Sequence, residues 1–181
     1  MRETDEARAA TATSIGQALA EIYAGIAERS MRDLPVYNPA LGVEAVGFRA
    51  EAERVVGIVV TPWFMNLVVV AAPGGPDLPA RPVGSAIEHR FPGGDFGFTV
   101  GTLDGFGRLD SASLFSPMFE FDDPAVVRAV AEAALAEILT APTPAVETET
   151  TAATSAEAAG PAADPAIDRR ALLFGRRGGA R

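Results

Sequence analysis

His89, Asp104 and either Ser113 or Ser116 follow one another in an order that a hydrolase triad could use: a carboxylate to orient an imidazole, and the imidazole to activate a serine. Neither serine lies in a nucleophile-elbow sequence, and chain order does not supply the geometry that defines a triad. His89 therefore reads as an exposed strand residue. The run GTLDGFG, Gly101 to Gly107, is rich in glycine but lacks the Lys-Ser/Thr ending of a phosphate loop. No helix signal follows it, so it reads as a hairpin turn. With one histidine and no cysteine, the chain has no thiolate zinc site, no iron–sulfur ligation and no disulfide.

Two apolar clusters point to binding instead. TPWFMN, Thr61 to Asn66, places Trp63, Phe64 and Met65 at a strand connection, where turns ordinarily carry small polar residues. Two readings stand for it: Trp63 folds back to cap the core, or the three side chains form an adaptable contact surface. LFSPMFEFDD, Leu114 to Asp123, crowds Phe115, Met118, Phe119 and Phe121 around Pro117 beside Glu120, Asp122 and Asp123. Aromatic side chains next to carboxylates suit a ligand that carries arginine and apolar groups together. The same aspartates also suit a helix cap. A third cluster ends the chain: RRALLFGRR, with Arg169, Arg170, Arg176 and Arg177 around Leu172, Leu173 and Phe174.

The elements that must hold these residues are legible from hydrophobic period and turn chemistry. Ile15, Leu19, Ile22 and Ile26 fall on one face of a helix expected over residues 5–30, ended by Pro35. Strand-like runs follow at Val43–Arg49, Arg54–Thr61, Leu67–Ala72, Val83–Phe91, Phe96–Leu103 and Leu109–Ser116. Gly93-Gly94-Asp95 and Asp104-Gly105 are hairpin signals that make the sheet mainly antiparallel. Asp123-Pro124 opens a second helix with Val127, Val130, Ala134 and Ile138 on its apolar face. The expected fold is α+β: a single domain, residues 1–140, with a mainly antiparallel sheet of five or six strands and two flanking helices. Residues 55–72 hold 18 residues without a charge, but valine, Pro62 and Asn66 make them two buried strands and a turn rather than a membrane span.

From Ala141 to Asp168 the pattern stops, leaving five acids, no bases and a run of Thr, Ala and Pro. Such a composition cannot offset its ordering entropy by burial, so a disordered acidic linker is expected over 141–168. At that length its ends would lie about 30 Å apart. Residues 169–181, the basic apolar tag, carry five of the 15 basic residues and no acid, which leaves −14 on residues 1–168 out of a net −9. An acidic body excludes nonspecific nucleic-acid binding and favours a cationic partner. The N-terminus has no basic region followed by an apolar one, so the expected location is the cytoplasm.

Four segments, SMRDLPVYNPALGVEAVGF, VVTPWFMNL, FTVGTLDGFGRLDSASLFSPM and RRALLFGR, together resemble the HybE/HupJ family of [NiFe]-hydrogenase assembly chaperones. The resemblance covers about residues 20–140 and then Asp168 to Arg177. It implies a non-enzymatic maturation factor without a cofactor. It also implies that the chain binds the hydrogenase small-subunit precursor with its twin-arginine signal peptide, and holds back export until the large subunit has joined. Candidate partner-binding residues are then Trp63, Phe64, Met65, Phe115, Met118, Phe119 and Glu120, with Arg169, Arg170, Leu172, Leu173, Phe174, Arg176 and Arg177 of the tag. No catalytic residue, nucleic acid or membrane insertion is expected. Two other classes stay open at this point: an enzyme of unknown substrate, which a buried Asp/His pair in a deep pocket would favour, and a membrane-surface adaptor using the arginine tag on anionic lipid. The tag itself has two open roles, a docking handle for the hydrogenase or a mimic of the client that covers the protein's own groove.

Overall fold

Strands β1 (Glu44–Glu51), β2 (Arg54–Val60) and β3 (Met65–Ala71) form two successive antiparallel hairpins in the computed structural model, which describes residues 2–141. The chain then crosses to the far edge of the sheet through residues 72–85. From there β4 (Ala86–Phe91), β5 (Gly94–Leu103) and β6 (Gly107–Phe115) return by two tight turns, so that β6 pairs with β3. The order is β1-β2-β3-β6-β5-β4, open at both edges and antiparallel throughout. Both expected hairpins are present: Phe91 pairs with Gly94 and Leu103 with Gly107. Apart from Ala141, the expected linker and tag lie outside the described residues.

Strand β2 is buried along nearly its whole length, which an antiparallel strand can be only when both sheet faces are covered. Helix α1 (Arg2–Ile26) takes the face of Val55, Val59, Val68 and Val70. The stripe it presents differs from the expected one. Ala12, Gly16 and Leu19 are buried, whereas Ile15, Ile22 and Ile26 are only half-buried beside them. The small residues decide this, because a methyl on Gly16 would stand 2.8 Å from the Phe48 ring. The α-helical part stops at Ile26, and a π-helical turn over Ala27–Met31 carries the helix to about its expected end.

Helix α2 (Pro124–Ile138) packs on β1 and β2 from the other side, with Leu135 against Gly47, where the backbone takes φ +65° and β1 bulges. Asp123 caps it as expected, accepting a hydrogen bond from the Ala125 amide at 2.8 Å. Its buried stripe is Val127, Ala131, Ala134, Leu135 and Ile138; the expected Val130 sits at the margin, half-buried. The far end of α2 is tied to the β4–β5 turn, where the Gly93 amide donates to the Ile138 carbonyl at 2.9 Å.

The α2 face of the sheet is strongly curled. Strands β2 and β4 would lie about 19 Å apart in a flat sheet of this order. Yet Arg54 of β2 reaches β4 directly: its Nη1 donates to His89 Nδ1 at 3.0 Å, its Nη2 donates to the Arg90 carbonyl, and its guanidinium lies 4.5 Å over the Phe91 ring. Burial draws the Arg54 guanidinium below its ordinary range, against the smaller opposing effect of Glu51.

His89 is accordingly buried, not the exposed residue its sequence suggested. Because arginine can only donate, Nδ1 is the accepting nitrogen and Nε2–H donates to Asp110 at 2.8 Å. Asp110, fully buried, also accepts from Arg108 at 3.1 and 3.2 Å, and Arg108 reaches on to the Pro79 carbonyl at 2.7 Å. A buried Asp/His pair therefore exists, but both imidazole nitrogens are engaged with protein groups. The triad is not assembled: Asp104 lies exposed at the β5–β6 turn, and strand alternation puts Ser113 on the opposite sheet face from Asp110.

Candidate functional site

The turn between β2 and β3 is held by Thr61. Its Oγ1 accepts from the amides of Trp63 at 3.2 Å and Phe64 at 2.9 Å, while its own amide donates to the Phe64 carbonyl at 2.8 Å. Turned this way, the chain buries Met65 completely and leaves Trp63 and Phe64 half-buried. A row of rings runs from the loop to the helix: Tyr37 stacks on Trp63 at 6.4 Å, Trp63 meets Phe64 edge-on at 5.6 Å, and Phe64 meets Tyr23 of α1 at 5.4 Å. Burial pushes the Tyr23 phenol up from its ordinary range.

Asn38 brings two further segments to this turn. Its amide donates to the Pro62 carbonyl at 2.9 Å, and its side-chain Nδ2 donates to the carbonyls of Met118 at 2.9 Å and Phe121 at 2.6 Å. Its Oδ1 accepts from the Ala40 amide at 3.0 Å. The residue is buried, so all these groups are satisfied within the protein. One asparagine thus joins the loop after α1, the Trp63 turn and the loop before α2. Those are three of the segments that carried the family resemblance.

The surface built there is apolar and bordered by carboxylates. Among the described residues, four large apolar side chains are exposed, and three lie on these segments: Leu34 at 45%, Phe119 at 59% and Val126, in the first turn of α2, at 51%. Asp33, Glu120, Asp122 and Asp123 flank them in the chain and are exposed. Arg32 supplies the opposite charge on one side, lining a shallow open pocket with Tyr37 and Pro39. No three metal-binding side chains of His, Cys, Asp or Glu group together among the described residues.

The expected site residues thus separate. Trp63, Phe64 and Phe119 reach the surface, Glu120 is exposed beside them, and Phe115 is half-buried with its ring edge-on to Phe121 at 5.1 Å. Met65 and Met118 do not reach it: both are fully buried, since strand alternation turns Met65 inward with Val60 and the Asn38 clamp draws the Met118 backbone under the loop. The tag residues Arg169, Arg170, Leu172, Leu173, Phe174, Arg176 and Arg177 lie outside the described residues. Sequence reading missed Leu34, Tyr37, Asn38 and Val126. Only Asn38 left a signal, the Asn-Pro pair, and that marks a turn without naming what the side chain will hold.

Known proteins share this architecture. The family model for the [NiFe]-hydrogenase assembly chaperone HybE matches residues 14–175. The chain is 52% identical over 130 residues to the hydrogenase expression/formation protein HupJ of Bradyrhizobium diazoefficiens, covering 72% of this chain and 75% of that one. It is 40% identical over 170 residues to the protein HoxT of Cupriavidus necator, covering 88% and 87%. The solution structure of HybE from Escherichia coli superposes with a TM-score of 0.56 at 30% identity, covering 81% of this chain and 91% of that one. The family is one of chaperones, which sets the enzyme reading of the His89–Asp110 pair aside. The chain belongs to the HybE family of [NiFe]-hydrogenase assembly chaperones.

Proposed function

We propose that this chaperone binds the precursor of a [NiFe]-hydrogenase small subunit in the cytoplasm, engages its twin-arginine signal peptide at the Trp63–Phe119 surface, and delays export until the large subunit has joined. The observation that carries the reading is that Asn38 joins the Trp63 turn to the segments that carry exposed Leu34, Phe119 and Val126, with exposed Asp33 and Asp122 next to them in the chain. A twin-arginine signal presents guanidinium groups next to an apolar stretch. Its binder needs carboxylates next to an apolar surface, so that charge-assisted hydrogen bonds and apolar burial act on one peptide. The relatives named for hydrogenase expression and formation support the client class. The tag at 169–177 is a second candidate contact, with the hydrogenase or with the body.

Titration of a synthetic twin-arginine signal peptide into the full chain tests this. Trp63→Ala and Phe119→Ser should each weaken binding by about 1 kcal/mol or more, as for anchors at the centre of an interface. Val83→Ser, at an exposed apolar residue away from these loops, should leave it unchanged. Equal affinity for all four proteins would remove this surface from the client site.

A further inference from the structure

The last described residue, Ala141, lies just beyond α2, which starts at the candidate surface and runs away from it for 15 residues, about 22 Å. Between Ala141 and Arg169 the chain has 27 residues, which can span up to about 90 Å. Residues 169–177 can therefore return to the surface where α2 begins with length to spare.

Their chemistry matches what is there. RRALLFGRR sets two arginine pairs about Ala-Leu-Leu-Phe. The segments that Asn38 joins carry exposed Leu34, Phe119 and Val126 and half-buried Trp63, with exposed Asp33 and Asp122 next to them in the chain. The overall charge divides in the same sense, five arginines without an acid on residues 169–181 against a strongly acidic remainder. The family match extends to residue 175 and so takes in most of this segment along with the body.

We propose that residues 169–177 are a ligand for the Trp63–Phe119 surface of the same chain and compete there with the client. The idea rests on the reading of that surface as the client site. Its consequence is a chaperone whose apolar surface is covered until a client displaces the cover. A linker of this length gives an effective concentration of about 1 mM, so a tag with a free affinity of about 0.1 mM would weaken client binding about tenfold.

Trp63 is the chain's one tryptophan, so its fluorescence reports on this surface alone. Two full-length variants are compared with the parent: Arg169→Ser, Arg170→Ser, Arg176→Ser and Arg177→Ser together, and Leu172→Ser, Leu173→Ser and Phe174→Ser together. Acrylamide should quench Trp63 more strongly in both variants, a synthetic RRALLFGRR peptide added to either should restore the parent's protection, and both should bind the signal peptide about tenfold more tightly. Unchanged quenching with no response to the free peptide overturns the proposal. So does a tag that leaves Trp63 unaffected while its variants lose a hydrogenase subunit, which marks a docking handle. A signal peptide that binds none of the three proteins sinks the client assignment, and the Trp63 readout still judges the tag.

Discussion

Asn38 has its whole amide engaged at the junction of three segments, and two of its partners are carbonyls 80 and 83 residues away. Truncating it to alanine would take that donor from the buried Phe121 carbonyl and leave the Met118 carbonyl with only the Phe121 amide. The expected cost is about 3 kcal/mol, the sum of lost hydrogen bonds and unpaired polar groups. Urea unfolding of Asn38→Ala should show it, and a loss below about 1 kcal/mol would mean that water replaces the side chain. Asn38→Asp is the sharper variant, since a carboxylate cannot donate to either carbonyl. It should destabilise comparably despite its nearly identical shape. The aromatic residues that drew notice in the sequence depend on this support: Trp63 can present a face outward because Thr61 and Asn38 fix the turn beneath it.

At the level of elements, the approach of α1 to the sheet is set by residues that are absent in bulk. Phe48 lies between Gly16 of the helix and Gly57 of β2, and a methyl on Gly57 would stand 2.3 Å from its ring. Gly57→Ala should therefore cost about 2 kcal/mol through overpacking. Adding Phe48→Leu should recover part of that loss, because a smaller side chain frees the space. If Phe48→Leu makes Gly57→Ala worse, the contact is not the source of the strain. The helix periods foretold that both helices would be amphipathic, and they are. They foretold Leu19 but not that α1 seats on Ala12 and Gly16 beside it, because hydrophobicity ranks isoleucine above glycine while close packing favours the reverse.

Across the whole molecule, Arg54 joins the β2 side of the sheet to edge strand β4 through His89, the Arg90 carbonyl and Phe91. Replacing it, as in Arg54→Gln, should release β4 while leaving β2–β3 intact. Hydrogen exchange should then quicken at Ala86–Phe91 by about tenfold or more, with little change at Val56–Val60, as expected for local rather than global opening. Uniform quickening across both strands would refute the separate release. Among the described residues no helix is long and apolar enough to cross a membrane, which agrees with reading 55–72 as paired strands. Alternation, turn glycines and the Asp123-Pro124 cap were enough by themselves to determine two helices, two hairpins and a mainly antiparallel sheet of five or six strands, because each depends on neighbours within a few residues of the chain. The segments that carry the family resemblance were equally readable. Only the tertiary structure decided that β6 returns to pair with β3, that His89 is buried against Asp110, that Met65 and Met118 face inward, and that Asn38 joins the Trp63 turn to the loops on either side of it in space. Those outcomes depend on contacts between residues tens of positions apart, where curvature and burial choose the partner and local pattern carries no record of it.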